Sequence, residues 1–257
     1  MEHWKSFGQE INRLLKPQTF PLAVRLAGEE GQIPARAKRP GKDLGKKLAP
    51  CQGAALARKY GWTVAVQAED SGCAIASFSY GWEPQTDRAK AVEFLTRMNY
   101  SRDQAAAEAA LSSWRLLAPG TCRAIIYSPL ERTEVDPDVI LLYINPAQLM
   151  RLIHGATYRT GIPITSSFSG RAASCTEGVL GAYLDRTAKV VVPGNGDRVW
   201  GTAQDDEMAF VVPVDLLEGL IEGLNRTHER GIRYPIPAFL DYQPMVGLKL
   251  PLTDIFK

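Results

Sequence analysis

The feature of this chain that most constrains its fold is a short apolar run, VILLYI at Val139–Ile144. Odd and even positions of the run are apolar alike, which is typical of a strand that is covered on both faces. Asp136-Pro137-Asp138 turns the chain into the run, and Asn145-Pro146 follows as a helix N-cap with proline at the first helical position. A doubly covered strand that leads into a helix predicts a layered architecture of sheet and helices.

Further strands and helices alternate along the chain. Strand patterns occur over Thr19–Ala27, Thr63–Gln67, Thr121–Ser128, Ala188–Val192 and Met208–Val212. Helical patterns occur near the N-terminus and over Pro50–Tyr60, Thr86–Met98, Ser101–Leu117, Ala172–Tyr183 and Pro213–Arg226. We therefore predict an α/β fold, with α+β as the alternative, in which a mixed β-sheet is covered by helices. We expect a single domain over 1–257, with a helical insert at about 86–117 and an irregular, proline-rich tail at about 230–257.

Composition narrows the class of protein. The chain is 45% apolar with a mean hydropathy of −0.15, values typical of a soluble globular protein with a sizeable core. A net charge of +2 gives no reason to expect nucleic acid or an anionic membrane as a partner. The N-terminus lacks a secretory signal pattern and the longest apolar runs are far short of a membrane span. We expect a cytoplasmic protein, in which four cysteines are not a disulfide framework.

The stretch from Ser166 to Phe210 concentrates residue types that form binding sites. Its first turn contains Ser169 and Gly170 directly before a predicted helix, which suits an anion at the helix N-terminus; an ordinary serine cap is the alternative. A second turn is predicted over Pro193–Arg198. Its expected ligand-binding residues are Gly194, Asn195, Gly196, Asp197 and Arg198, through exposed backbone N–H groups and a guanidinium that binds a carboxylate or phosphate.

The second turn also has a purely structural interpretation, in which Asp197 caps the backbone. Arg198 then pairs with Asp205, Asp206 or Glu207. The two interpretations differ in whether a ligand contacts the turn.

Acid and base groups are present without a motif that defines a reaction. Glu69, Asp70 and Glu207 are candidate acid/base groups if they lie in a cleft, and helix caps or salt-bridge partners otherwise. Arg25 alternates with core residues on a strand, so burying it calls for a bound anion or an acidic partner. Neither GxSxG nor HExxH occurs, and there is no strand-linked GxGxxG and no GxxxxGK[ST]. Whether the chain is an enzyme stays open.

One segment is strongly basic. Arg36–Lys47 is rich in lysine and arginine, with Asp43 as its one acidic residue. Pro40, Gly41 and Gly45 are expected to break any helix there, which predicts a loop. The loop is either a solvated surface or a docking site for an acidic protein partner.

Several segments together resemble the domain of unknown function 169 family, an archaeal and bacterial group common in anaerobes. They are PLAVRL, CQGAALARKYG, AEDSGC, DPDVILLYINPAQLMRLI, SGRAASC and VPGNGDRVWGTAQDDEMAFVVP, which together span roughly 21–224. The cysteines that recur in the family imply that Cys51, Cys73 and Cys175 act together on a metal or an iron–sulfur cluster of the 4Fe-4S type. Cys122 does not align with the family pattern.

The positions of the cysteines are compatible with such a site. No CxxC pair occurs, so a structural zinc site is not indicated. Distant thiolates can still converge on a soft metal. Cys51 and Cys73 lie at predicted helix starts and Cys175 in an early helical turn, where the helix dipole favours the thiolate. Helix starts in α/β sheets also gather at the carboxyl edge of the strands.

Buried cysteine also acts as a small hydrophobe, and this alternative is favoured for Cys122 inside a strand. Three functions follow. The first is a cysteine-ligated iron–sulfur or redox protein of anaerobic metabolism that holds a small anionic molecule near Arg198. The second is a metal-free binding protein for a small, nucleotide-like anion that uses the glycine turns. The third is an accessory or scaffold protein that docks through the basic loop.

Overall fold

The computed structural model describes residues 2–82 and 87–236 and is organised around a six-stranded sheet. Along the chain its strands are β1 (Leu22–Ala27), β2 (Val64–Gln67), β3 (Ala124–Pro129), β4 (Val139–Ile144), β5 (Lys189–Val191) and β6 (Met208–Pro213). Across the sheet they lie in the order β2-β3-β1-β4-β6-β5.

Strand β4 is the apolar run VILLYI, and it lies inside the sheet between β1 and β6. All six of its residues are buried. Leu141 and Tyr143 pack into the core on one face of the sheet, whereas Ile140 and Leu142 pack into the core on the other face. The prediction of a strand covered on both faces is confirmed.

Two layers of helices cover the sheet, which confirms the predicted α/β fold. One face carries α3 (Pro50–Tyr60), α4 (Ala74–Ser79), a π-helix (Ala173–Leu180) and α8 (Gly181–Asp185). The other face carries α1 (Glu2–Leu15), α7 (Pro146–Thr157) and α10 (Leu217–Glu229). Short 3₁₀ turns lie at Glu30–Gln32, Leu130–Arg132 and Val214–Leu216.

The direction of the strands differs from the prediction of a mixed sheet. Each pair of neighbouring strands in the described sheet is antiparallel. Apolar periodicity reports which faces of a strand are buried and carries no information about its direction, so the sequence did not reveal this. The carboxyl ends of the strands therefore do not share one edge, and the argument that helix starts gather at such an edge was wrong for this fold.

The predicted helical insert contains two helices, α5 (Arg88–Arg97) and α6 (Gln104–Ser113). They pack on each other through an apolar cluster that includes Leu95, Leu111 and Trp114. The carboxylate of Asp103 caps α6 by accepting the N–H of Ala106 at 2.9 Å. Residues 83–86, at the predicted start of the insert, and 237–257, most of the predicted tail, lie outside the described residues.

Two segments predicted as irregular contain short helices. The basic segment holds α2 (Pro40–Leu44), because proline fits the first helical turn and Gly45 ends the helix with a left-handed φ of 64°. The predicted turn Pro193–Arg198 holds α9 (Asn195–Val199), with Gly194 as its N-cap. Proline and glycine at these positions mark helix ends, and interpreting them as helix breakers was wrong. None of the helices in the described ranges is long and apolar enough to cross a membrane.

Candidate functional site

Three of the four cysteines lie in the wall of one small cavity. Cys51, Cys73 and Cys175 line it, and its volume is about 40 Å³. Asp197 and Trp200 of the α9 region complete the part of the wall that faces α3. Residues from the two halves of the chain thus meet at one point.

Cys51 is the second residue of α3 and is held at the start of that helix. The helix begins at Pro50, and the N–H of Ala49 donates to Oε1 of Gln52 at 2.9 Å. The Cys51 thiol donates to the carbonyl of Gly196, with Sγ 3.6 Å from the oxygen. This contact joins the start of α3 to α9.

Cys73 is the N-cap residue of α4, and Cys175 is the third residue of the π-helix. The backbone N–H of Cys73 donates to Oγ of Ser71 at 3.3 Å, and the Ser77 hydroxyl donates to the same oxygen at 3.1 Å. The turns of a π-helix, such as the one that carries Cys175, are wider than those of an α-helix. They are rare in proteins overall, and many of those known lie at functional sites. Each of the three cysteines is therefore fixed by a helix start or a helical irregularity.

Asp197 is a buried carboxylate in the cavity wall. Its Oδ2 accepts the backbone N–H of Gly194 at 3.0 Å and of Ser174 at 3.4 Å. Gly194 is required here, since a Cβ at this position would lie 2.8 Å from the carbonyl oxygen of Gly170. Burial raises the pKa of Asp197, and these hydrogen bonds oppose that rise. Asp197 links the N-terminus of α9 to the residue before Cys175.

The surroundings of the three cavity thiols raise the pKa of each. Burial is the largest cause that raises the pKa of Cys51, Cys73 and Cys175, and the charge of Asp197 raises each of them further. Backbone N–H groups at the helix starts lower the pKa of Cys51 and Cys73 by a smaller amount. The predicted effect of the helix N-termini is present, but the expectation that it would favour the thiolate was wrong because burial outweighs it.

Glu207, a candidate acid/base residue, forms a buried ion pair. Its Oε1 lies 2.7 Å from Nη1 of Arg58, and Oε2 also accepts the N–H of Gln204 at 2.8 Å. Sequence reasoning missed Arg58. The available signal was its spacing of seven residues from Cys51, which places both side chains on one face of α3.

The other predicted acid/base and strand residues have local partners. Asp70 is buried and accepts the N–H of Gly41 at 2.8 Å, whereas Glu69 is exposed. Arg25 pairs with Asp138 at 3.0 Å, so the acidic partner that its burial called for lies within the chain. Among the described residues, none of these three lines the cysteine cavity.

The predicted glycine and serine turns contribute mainly backbone contacts. The N–H of Ser169 donates to Glu177 at 2.6 Å, and the carbonyl of Gly170 accepts the N–H of Asn195 at 3.4 Å. Arg198 donates to the carbonyl of Gln204 at 2.5 Å and lies 3.8 Å from Asp205. Of the predicted ligand-binding residues, Gly196 and Asp197 line the cavity.

Cys122 lies apart from the other three cysteines. It is buried in the core beside β3, and its thiol donates to the carbonyl of Ala124 at 3.4 Å. All four cysteines are free thiols. Across 2–82 and 87–236, no group of three or more His, Cys, Asp or Glu side chains is arranged so that it could hold a metal ion.

The fold and the cavity define an α/β protein in which three half-buried cysteines line one cavity among the helices on one face of an antiparallel sheet. Residues 10–223 match the DUF169 family, described as uncharacterised ArCR, and the chain belongs to this family. It is also similar to the uncharacterized protein MJ0308 of Methanocaldococcus jannaschii, with 26% identity over 101 residues. That match covers 39% of this chain and 43% of the archaeal protein, so it spans less than half of either. No solved structure matches the chain.

Proposed function

We propose that this chain is a metalloprotein that binds a soft metal through the thiolates of Cys51, Cys73 and Cys175. The observation that carries the proposal is that the three cysteines, from three separate elements, line one cavity. Thiolates select soft ions such as Cu(I), zinc and the iron of iron–sulfur clusters. Cys122 contacts Ala124 in the core and has no part in the site.

The surroundings of the three thiols argue against a reactive, nucleophilic cysteine. Reactive cysteines have a lowered pKa and lie in electropositive surroundings, whereas burial and Asp197 raise the pKa of all three thiols. A metal cation displaces the thiol proton when it binds, and it offsets the charge of the thiolate and of Asp197. Metal binding must therefore displace protons from the thiols, and among the described residues the wall contains one cation, Arg171, in addition to the carboxylate of Asp197.

The volume of the cavity bears on the kind of centre. About 40 Å³ accommodates a few water-sized groups, which suits a single ion. A 4Fe-4S cluster has eight heavy atoms and would require the walls to separate. We therefore propose a mononuclear soft ion first and the iron–sulfur cluster second. When bound, either group supplies Lewis-acid or electron-transfer chemistry that side chains lack.

Other features of the structure support the expected cellular environment, anionic ligand and protein partner. We propose a reducing, cytoplasmic environment, in which the four free thiols persist. A small anionic ligand near Arg198 is supported by the partial exposure of the Arg198 side chain, 30%. An acidic protein partner is supported by the exposed Lys42, Lys46 and Lys47 around α2.

Metal and acid-labile sulfide in anaerobically purified protein test the proposal. We expect about one equivalent of a soft metal, with sulfide only if the centre is a cluster. Cys51→Ala, Cys73→Ala and Cys175→Ala should each lose most of the metal. Cys122→Ala is the matched control and should retain it.

Protein without metal or sulfide would contradict the proposal and would favour the alternative of a metal-free binding protein with structural cysteines. Equal loss in Cys122→Ala would contradict it too, because metal content would then depend on folding alone.

A further inference from the structure

We propose that a second cavity, separate from the cysteines, binds a small amphipathic molecule with one anionic head group, a carboxylate or a phosphate. The cleft lies where α7, α10 and the corner between α8 and β5 meet the segment 160–167. Its volume is about 690 Å³, within the range of about 300–1,000 Å³ that is typical of small-molecule sites. It shares no lining residue with the cysteine cavity.

The cleft has an apolar wall. Ile162, Ile164, Leu216 and Leu220 line it, and two of these remain accessible, with Ile162 69% exposed and Leu216 43% exposed. An apolar ligand that covers such a concave surface removes these side chains from water, which lowers the free energy. This wall would hold the body of the molecule.

Charged side chains surround the apolar wall. Four cationic residues line the cleft, Arg115, Arg159, Arg186 and Lys189, against two carboxylates, Asp185 and Asp215. With Glu222, which pairs with Arg159 from outside the lining, four cations stand against three carboxylates, a net charge of +1. A low-dielectric cleft with an excess of one charge concentrates ligands of the opposite charge.

A ligand anion can replace the carboxylate partner in the ion pairs at the rim of the cleft. Arg159 pairs with Glu222, and Arg186 with Asp215, and all four side chains are at least 40% exposed. Exposed pairs contribute little to stability, so exchange of a carboxylate partner for a ligand anion costs little. Asp185 forms ion pairs with both Arg115 and Lys189: Oδ1 lies 2.9 Å from Nε of Arg115, and Oδ2 lies 2.9 Å from Nζ of Lys189. One carboxylate therefore faces two cations there, an excess of one positive charge.

One wall of the cleft is fixed to the sheet. The N–H of Val190 on β5 donates to Oγ of Ser166 at 2.9 Å, which holds the segment that carries Thr165 and Ser167 against the outer strand. Both neighbours of Ser166 line the cleft. The site is thus bounded by a segment that is bonded to the sheet rather than by free loop alone.

Fluorescence titration of the full chain with 8-anilinonaphthalene-1-sulfonate tests this proposal, because that probe joins an apolar body to one anionic group. We expect saturable binding that Arg159→Gln combined with Arg186→Gln weakens about tenfold, the loss of one to two charge-assisted hydrogen bonds. Thr165→Trp should weaken binding by filling the cleft. Arg226→Gln is the matched control, since Arg226 lies on α10 in an exposed pair with Glu229 and outside the lining, and its binding should be unchanged.

Absence of binding would overturn the proposal, as would equal affinity in the double variant and wild type or an equal loss in Arg226→Gln. If the double variant fails to fold, as judged by thermal unfolding, unchanged affinity in Thr165→Trp still overturns it. Displacement by octanoate or by octyl phosphate then identifies the head group, and displacement by neither contradicts the assigned ligand class. Cys51→Ala should leave probe binding unchanged, so the result is independent of the metal site.

Discussion

Arg58 and Glu207 form a bidentate, buried ion pair, with Nη1 2.7 Å from Oε1 and Nη2 3.1 Å from Oε2. Arg58 also donates to the carbonyl of Thr202 at 3.0 Å, and its guanidinium lies 4.2 Å from the ring centre of Tyr143. The pair joins the helix that carries Cys51 to the chain that follows α9. We infer that it holds one wall of the cysteine cavity in place.

Removal of the acidic partner should destabilise the protein strongly. Glu207→Gln leaves the charge of Arg58 buried without a counter-ion, and we expect the free energy of unfolding to fall by roughly 3–5 kcal/mol in urea unfolding. Arg226→Gln, at an exposed pair, should change it by less than about 1 kcal/mol. Similar small losses in both variants would show that the buried pair has no special role.

A methyl group at Gly201 should displace Cys51 and Asp197 in the wall of the cysteine cavity. A Cβ there would lie 2.7 Å from the carbonyl oxygen of Asp197 and 3.1 Å from Cβ of Cys51. Gly201→Ala should lower the free energy of unfolding by about 1–3 kcal/mol and reduce metal content. Gly31→Ala is the control, because a Cβ at Gly31 meets no atom within 4 Å. Equal stability and metal content in the two variants would contradict the described packing.

Cys122 should make stability depend on pH in the alkaline range. Burial raises the pKa of Cys122 to about 12, above the roughly 8.5 of an unfolded thiol. From about pH 8.5 to about pH 12 the unfolded chain releases this proton and the folded chain keeps it, so stability falls as pH rises. The slope from this group approaches about 1.4 kcal/mol per pH unit.

The comparison that isolates this effect is wild type against Cys122→Ala, by urea unfolding at about pH 8 and about pH 10. The variant lacks the titrating group, so its stability should fall less over that interval. Parallel changes in the two proteins would mean that Cys122 titrates normally.

Sequence patterns located most elements of this fold. The double burial of VILLYI identified β4, and proline with asparagine identified the start of α7, where Oδ1 of Asn145 accepts the N–H of Gln148 at 2.9 Å. Strand direction was not predictable, because periodicity is the same for either direction. The turn around Gly196 was mistaken for irregular chain because a short helix has too few residues for a periodic pattern.

The candidate site was predictable only in part. Helix-start signals placed Cys51 and Cys73 correctly at the ends of α3 and α4, since proline and local turn residues act over a few positions. Their position beside Cys175 depends on how α3, α4 and the π-helix pack side by side on one face of the sheet, which no local pattern encodes. The capping role of Asp197 was predictable, because its carboxylate accepts the N–H of Gly194 three residues earlier at 3.0 Å. Its contact with Ser174 at 3.4 Å joins residues distant in sequence and was not predictable.

The most direct test of a metal site shared by Cys51, Cys73 and Cys175 is a titration of metal-free protein with Cd²⁺ under anaerobic conditions. Binding is monitored by the absorbance of the thiolate-to-metal charge-transfer band. We predict a band that saturates near one equivalent, is lost or strongly reduced in Cys51→Ala, Cys73→Ala and Cys175→Ala, and is unchanged in Cys122→Ala. Absence of the band in wild type, or a band of full amplitude in Cys175→Ala, would contradict a shared three-cysteine site.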